Sequence, residues 1–211
     1  MKHHASLRSA GMLQRRSVMR MGLGLGLGAA TFLLAACEPN KLSFSSVDVT
    51  GADYGKGFEL SDHNGQVRHL TDFAGKVVVM FFGYTQCPDV CPATMIELAQ
   101  VKKLLGADGE RLQALFVTLD PERDTPELLK AYMVNFDPMF LALRPTPEQL
   151  PVLAKDFKNY YKKVAGKSTD YYTMDHSAGS YVFDTKGQLR LFTRYGSGAP
   201  VLAADIALLL R

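Results

Sequence analysis

Two cysteines lie four residues apart in the segment Cys87-Pro88-Asp89-Val90-Cys91. In the first turn of a helix, this spacing places both thiols on one face, where they can bind one metal ion or, after slight distortion, form a disulfide. The N-terminus of a helix also favours the thiolate, which lowers the pKa of a cysteine there. A purely structural disulfide stays open as an alternative, although so short a ring constrains little of the unfolded chain.

The predicted elements around this pair form a β-α-β unit. Residues 76–82 are a continuous apolar run rich in valine, which is typical of a strand buried on both faces. Residues 93–105 have helical spacing and stop at Gly106, and residues 112–119 form a second buried strand. The cysteines therefore follow a central strand at the carboxyl edge of a parallel sheet, where open α/β sheets commonly place their sites.

The remaining elements complete one domain. Residues 58–60 and 67–70 flank the turn Asp62-His63-Asn64-Gly65, which predicts a β-hairpin. A second hairpin is predicted over 181–183 and 189–192, helices begin near Thr125 and Thr146, and a last helix covers 200–210. This order predicts an α/β thioredoxin-like fold with an additional N-terminal β-hairpin and inserted helices over residues 57–211.

His176 is a candidate third ligand. It lies just before the predicted strand at 181, and the loop entering that strand faces the cysteine loop in thioredoxin-like folds. A lone histidine is more often structural, so spacing alone leaves its role open. Two thiolates and one imidazole suit Cu(I), whereas a structural zinc would need a fourth protein ligand. The sequence therefore favours copper.

Asp120 follows the second buried strand and has two alternative roles. Its carboxylate either lies in the second shell of the metal, for example by orienting His176, or caps the following turn. Residues 122–124 are interpreted as a turn network with exposed charges. Met174 is interpreted as a packing residue rather than a thioether ligand.

The first 36 residues predict an export signal. Arg15, Arg16 and Arg20 precede an uncharged apolar run of 16 residues that contains four glycines. This run is shorter than the ~20 residues that span a bilayer as a helix, which favours cleavage over anchoring. The arginine pair also resembles a twin-arginine signal, so the export route stays open.

The end of this signal, Leu34-Ala35-Ala36-Cys37, resembles the bacterial lipobox. That resemblance implies a mature chain that begins at a lipidated Cys37 and is tethered to a membrane, facing the periplasm or another extracytoplasmic compartment. Residues 37–56 have no strong periodicity and are interpreted as the lipidated cysteine followed by a flexible tether.

The charge distribution argues against nucleic acid as a partner. Residues 1–37 contain five of the 24 Lys and Arg and none of the 21 acids, so the rest of the chain has a net charge of 19 − 21 = −2. A domain with this balance lacks the basic field on which nucleic-acid binding depends.

Three ordered motifs are similar to those of the Sco/SenC family. They are Phe82-Gly83-Tyr84-Thr85-Gln86-Cys87-Pro88-Asp89-Val90-Cys91-Pro92, Asp120-Pro121-Glu122-Arg123-Asp124-Thr125-Pro126 and Asp175-His176-Ser177-Ala178-Gly179. The resemblance implies a thioredoxin-like fold with an extra hairpin. It also implies that Cys87, Cys91 and His176 bind copper, as Cu(I) and Cu(II). Gln86 is a departure, because many relatives have an aromatic residue or histidine beside the first cysteine.

The resemblance further implies a copper metallochaperone that helps assemble the dinuclear copper centre of cytochrome c oxidase. Its implied partners are the copper-centre subunit of that oxidase and other periplasmic copper chaperones or thiol reductases. The alternative is a membrane-tethered thiol-disulfide reductase that uses Cys87 and Cys91 as a redox pair on the same subunit. Three residues separate the two cysteines here, whereas thioredoxin-type oxidoreductases normally have two, which favours copper.

Overall fold

The computed structural model describes residues 42–166 and 171–211. The strands in these ranges are β1 (Val47–Asp48), β2 (Glu59–Asp62), β3 (Val67–His69), β4 (Val77–Gly83), β5 (Leu112–Thr118), β6 (Leu141–Arg144), β7 (Tyr161–Ala165), β8 (Tyr172–His176), β9 (Ser180–Phe183) and β10 (Leu189–Thr193). The α-helices are α1 (Val90–Leu104), α2 (Pro126–Met133), α3 (Gln149–Asp156) and α4 (Ala199–Leu209), and 3₁₀ turns cover Leu70–Phe73 and Gly106–Arg111.

Eight strands form one mixed sheet in the order β1-β10-β9-β4-β5-β6-β2-β3. Strands β4, β5 and β6 are parallel, and the other neighbours are antiparallel. Every residue of β4 and β5 is buried, as expected for strands covered on both faces. The predicted β-α-β unit and both predicted hairpins are present.

Alternation along β4 sends neighbouring side chains to opposite faces of the sheet. The Phe82 ring packs against the rings of Phe157 and Tyr181, with centroids 5.4 and 5.8 Å away. On the other face, the Phe81 ring lies 5.9 Å from the imidazole of His176. The central strand thus supplies one wall of the region that contains the candidate ligands.

Several strand pairings were not predicted. Strand β6 extends the parallel part of the sheet, and β7 and β8 form a separate two-stranded antiparallel sheet. The segment before residue 181, expected to be a loop, therefore contains a strand. His176 is its last residue and lies directly opposite Tyr161.

Helix α1 begins at Val90, so Cys91 lies in its first turn but Cys87 precedes it. The prediction that both thiols occupy one helical turn was wrong. At the next helix, the predicted cap is present, since the Thr125 side chain accepts a hydrogen bond from the Leu128 amide. Helix α3 begins at Gln149, and its amide donates to Thr146 Oγ1 at 3.2 Å.

The folded domain begins before residue 57, so the predicted tether over 37–56 is too long. Strand β1 pairs with β10, and the backbone amides of Ser45 and Ser46 donate to the buried carboxylate of Asp205 at 2.9 and 2.8 Å. A compact unit covers residues 44–211. The sequence missed this boundary because the contacts depend on partners more than 140 residues away.

The part of the chain that the structure describes contains no helix long and apolar enough to cross a membrane. The predicted signal over residues 1–36 and the predicted lipidation site Cys37 lie outside the described residues.

Candidate metal centre

The two cysteines lie where the chain passes from β4 into α1. After Gly83 the chain turns, with the Cys87 amide donating to the Tyr84 carbonyl at 3.3 Å. Cys87 is half-buried in this loop, whereas Cys91 is fully buried. Cys87 is therefore the sulfur that a partner molecule can reach.

The structure brings both cysteines and His176 together. The Cys91 amide lies 3.4 Å from Cys87 Sγ, and Cys91 Sγ lies 3.7 Å from His176 Nε2. The two Sγ atoms and one ring nitrogen are all within 4.8 Å of one another. This is the group that sequence spacing and family resemblance singled out, and 85 residues separate Cys91 from His176.

The two thiols have opposite acidities. A hydrogen bond from the Cys91 thiol, aided by His176 and two backbone amides, lowers the pKa of Cys87 to about 4 against the opposing effect of burial. The same thiol pairing and its own burial raise the pKa of Cys91 above its ordinary value. Position at a helix start thus does not make both cysteines acidic, and the thiolate belongs to Cys87.

The imidazole of His176 is held by its backbone and by two aromatic rings. Its Nδ1 lies 2.9 Å from the Ser177 carbonyl oxygen, which only accepts hydrogen bonds, so Nδ1 donates this bond. Nε2 lies on the side of the sulfurs, 3.7 Å from Cys91 Sγ. The rings of Phe81 and Tyr84 contact the imidazole edge-on, with centroids at 5.9 and 6.1 Å.

Asp120 is not the hydrogen-bond partner of His176 Nδ1, which bonds to the Ser177 carbonyl, and its carboxylate oxygens contact other groups. Oδ1 accepts a hydrogen bond from the Tyr172 hydroxyl at 2.8 Å, and Oδ2 forms an ion pair with Arg123. The Asp120 carbonyl accepts from the Asp124 amide at 2.9 Å, so its backbone also closes the predicted turn. Its connection to the ligands runs through Tyr172, which lies on the same strand as His176.

Sequence reasoning missed the role of Asp124, which was interpreted as an exposed charge. It is completely buried and accepts hydrogen bonds from the Thr85 and Thr118 hydroxyls, each at 2.5 Å, and from the Thr85 amide. Burial raises the pKa of this carboxyl above its usual range. Asp124 therefore holds the loop that leads to Cys87 against the end of β5.

Gly83 allows this loop to pack closely on the helix. A Cβ atom built there would lie 2.8 Å from Cys91 Sγ and 2.9 Å from a ring carbon of Phe116. Its backbone is an ordinary strand conformation, so the requirement is for space and not for φ.

The other described histidines and Met174 lie outside the group. His63 Nδ1 accepts from the Ala142 amide at 3.1 Å, and His69 Nε2 lies 3.3 Å from a Glu59 carboxylate oxygen. Met174 is buried in the core, as predicted for a packing residue.

The donor set fits a soft metal ion. Two sulfurs, one already ionised, and an imidazole nitrogen are ligand types preferred by Cu(I). Among the described residues the group consists of Cys87, Cys91 and His176, whereas a structural zinc site usually has four protein ligands.

Comparisons with known proteins agree with the fold and the motifs. The profile of the SCO1/SenC family matches residues 47–211. A SCO2-like protein of Rickettsia felis is 32% identical over 174 residues, which cover 81% of this chain and 85% of that protein. The mitochondrial SCO2 homolog of Bos taurus is 36% identical over 191 residues, which cover 89% of this chain and 71% of that protein.

Solved structures confirm the predicted thioredoxin-like fold. ScoI of Bradyrhizobium japonicum, solved with copper bound, has a TM-score of 0.68 and 36% identity, and the match covers 74% of this chain and 99% of that one. Apo Sco1 of Thermus thermophilus has a TM-score of 0.70 and 33% identity, covering 81% and 99%. With the family profile extending over the whole folded domain, the chain belongs to the SCO1/SenC family.

Proposed function

We propose that this protein is a copper metallochaperone that binds copper through Cys87, Cys91 and His176 and delivers it to the dinuclear copper centre of cytochrome c oxidase. The observation that carries the proposal is the convergence of two sulfurs and one imidazole nitrogen within 4.8 Å. Copper-bound structures of relatives that share 36% and 30% identity support it.

The exposure of the three ligands suits the transfer of a metal ion. Cys91 is fully buried, whereas Cys87 and His176 are half-buried at the surface. An incoming ligand from the copper-centre subunit can therefore replace the two outer donors in turn while Cys91 still holds the ion. Cu(I) tolerates the two- and three-coordinate states that such an exchange requires.

The proposal includes a location. Cleavage before Cys37 and lipidation of that residue would tether the domain to a membrane on the periplasmic or extracytoplasmic side. The compact unit begins at residue 44, which leaves six residues of sequence, 38–43, between the lipidated cysteine and that unit. So short a tether would keep the metal centre close to a membrane-bound oxidase.

A second function, thiol-disulfide reduction, is favoured by the low pKa of Cys87. The Cys87 thiolate would attack a disulfide of the oxidase subunit, releasing one of its sulfurs as a thiolate. Cys91, losing its proton, would then attack the mixed disulfide. The subunit would leave with two reduced cysteines and this protein with a Cys87–Cys91 disulfide, which a separate thiol reductase must reduce.

Replacing His176 with alanine separates the two functions, because it removes the nitrogen donor and leaves both thiols. We expect His176→Ala to retain linear two-sulfur Cu(I) binding but to lose most of its Cu(II) charge-transfer absorption, since Cu(II) needs nitrogen or oxygen donors. Disulfide formation should persist. The matched control is His69→Ala, which removes an exposed imidazole that pairs with Glu59 and lies outside the candidate ligand group.

Two measurements test this. Absorption spectroscopy monitors a titration with Cu(II), and a cellular assay measures oxidase assembly. Lost assembly together with normal thiol exchange would favour delivery over reduction. An unchanged Cu(II) affinity and spectrum would remove His176 from the ligand set. Intact assembly in cells would favour the reductase.

A further inference from the structure

The guanidinium of Arg123 joins the two segments that carry the candidate ligands. Its Nη1 donates to Gln86 Oε1 at 3.0 Å and to the backbone carbonyl of Tyr172 at 3.0 Å. Gln86 directly precedes Cys87, and Tyr172 begins the strand that ends at His176. We name this three-residue contact of Gln86, Arg123 and Tyr172 the Arg123 bridge.

Arg123 is itself held from several sides. Its Nε forms the ion pair with Asp120, a carboxylate that is only 4% exposed. The guanidinium carbon lies 3.5 Å from the centroid of the Tyr172 ring, and the Tyr84 ring is 5.9 Å away. A planar cation stacked on a ring and paired with a buried carboxylate has little freedom, so its third contact, to Gln86, is fixed in direction.

The bridge adds a polar connection between two segments that otherwise meet at the ligands themselves and at the contact of the Tyr84 ring with the His176 imidazole. The cysteine loop leaves β4 in the main sheet, whereas His176 lies on the separate β7-β8 sheet. The relative position of these two sheets sets the distance from both sulfurs to Nε2. Arg123 bonds to one segment through a side chain and to the other through the backbone, and so restrains that distance.

We propose that Arg123 and Gln86 are positioning residues that hold the cysteine loop and the His176 strand at the spacing needed to bind copper. This inference rests on the proposed copper function and extends it to two residues that do not contact the metal. Groups that hold metal ligands from behind typically change metal affinity by about 10- to 100-fold when removed.

The requirement is for arginine and not for positive charge alone. A lysine at position 123 can still pair with Asp120, but a single ammonium group cannot also reach Gln86 and the Tyr172 carbonyl while stacking on the ring. Arg123→Lys should therefore keep the stability of the metal-free parent protein but bind copper more weakly than the parent does. If the role of Arg123 were purely structural, lysine would restore stability and copper affinity together, relative to Arg123→Leu.

The test uses the full chain in detergent, with Cys37→Ser in every variant so that only Cys87 and Cys91 supply thiols. Cu(I) affinity is measured by competition with a chromophoric chelator, and thermal unfolding is measured without metal. The variants are Arg123→Leu, Arg123→Lys, Gln86→Leu and the double variant Gln86→Leu/Arg123→Leu. The control is Glu122→Gln. Glu122 lies on the same turn as Arg123, and its substitution alters an exposed ion pair with Lys163.

We expect about a 10- to 100-fold loss of Cu(I) affinity in Arg123→Leu and Arg123→Lys, a smaller loss in Gln86→Leu, and no change in Glu122→Gln. Because Gln86 acts through Arg123, the double variant should lose no more affinity than Arg123→Leu alone. Gln86 is exposed, so its variant remains informative even where Arg123→Leu fails to fold.

Two results would overturn the inference. One is full Cu(I) affinity in Gln86→Leu and Arg123→Lys, and the other is independent, additive losses in the double variant. Both require a parent protein that binds copper. Failure of the Cys37→Ser parent to bind Cu(I) would instead contradict the proposed function itself.

Discussion

At the scale of single residues, the metal centre depends on two cysteines that are chemically unequal. Cys87 is half-buried, receives hydrogen bonds and carries the thiolate, while Cys91 is fully buried and keeps its proton. A reactive outer sulfur and a protonated inner one suit both metal exchange and disulfide exchange. The site therefore supports either function until the imidazole is tested separately.

This asymmetry predicts an unusual pH profile in the reduced, metal-free protein. With a pKa of about 4, Cys87 stays thiolate throughout pH 5–8, whereas an ordinary thiol loses its thiolate about tenfold per pH unit below its pKa. Alkylation of Cys87 should thus be nearly constant from pH 8 to 5 and halve near pH 4. Mass spectrometry of peptides from pulse-labelled protein measures the alkylation rate. A steady tenfold fall in that rate per pH unit below pH 8 would contradict the prediction.

Gly83 is a residue whose absent side chain matters to the site. In Gly83→Ala the new Cβ would meet Cys91 Sγ and Phe116, so overpacking should lower the unfolding free energy by about 1–3 kcal/mol. Displacement of Cys91 should also weaken Cu(I) binding. Urea unfolding and chelator competition measure the two effects. Gly57→Ala, where a Cβ meets nothing within 4 Å, is the control and should change neither.

At the scale of elements, residues 44–58, which precede β2, belong to the folded domain. Its strand β1 is only two residues long, and a single pair of backbone bonds is a weak restraint on its own. The carboxylate of Asp205 in α4 adds two charge-assisted bonds to the amides of Ser45 and Ser46. The last helix thereby fixes the point at which the chain enters the domain.

Replacing Asp205 with asparagine should release this segment. The amide keeps one acceptor but turns an NH₂ group toward a backbone donor, so we expect a loss of about 2 kcal/mol in the free energy of unfolding. Proteolysis within residues 44–56 should become faster at the same time. Urea unfolding and limited proteolysis are the measurements. Asp53→Asn, which changes an exposed carboxylate in the same segment, should leave both unaltered.

At the scale of the whole molecule, the prediction to test is the lipid anchor at Cys37, which six residues of sequence separate from the compact unit that begins at residue 44. We expect a mature chain that begins at a lipid-modified Cys37 and fractionates with membranes from the exported side. Intact-mass measurement of the membrane-extracted protein checks this. Recovery of an unmodified N-terminus downstream of Cys37 would show that the lipobox interpretation is wrong, and Cys37→Ser should abolish the lipid mass.

The sequence by itself determined the order of the main elements, and it singled out Cys87 and Cys91 as candidate ligands. Strands β4 and β5 are buried on both faces, so each is a continuous apolar run that can be recognised from the sequence alone. Family resemblance added His176, which spacing alone left open. Local turn and capping signals were sufficient for both hairpins and for the Thr125 helix start.

Only the tertiary structure decided what depends on distant partners. The β7-β8 sheet contains polar and charged residues that alternate weakly, so its pairing was not visible in the chain. Asp124 reads as one more charge in an acidic turn, and its burial follows from donors on two separate segments. The Arg123 bridge likewise joins residues 37 and 49 positions from Arg123, and such contacts have no periodic signal because they depend on how sheets and loops pack in three dimensions.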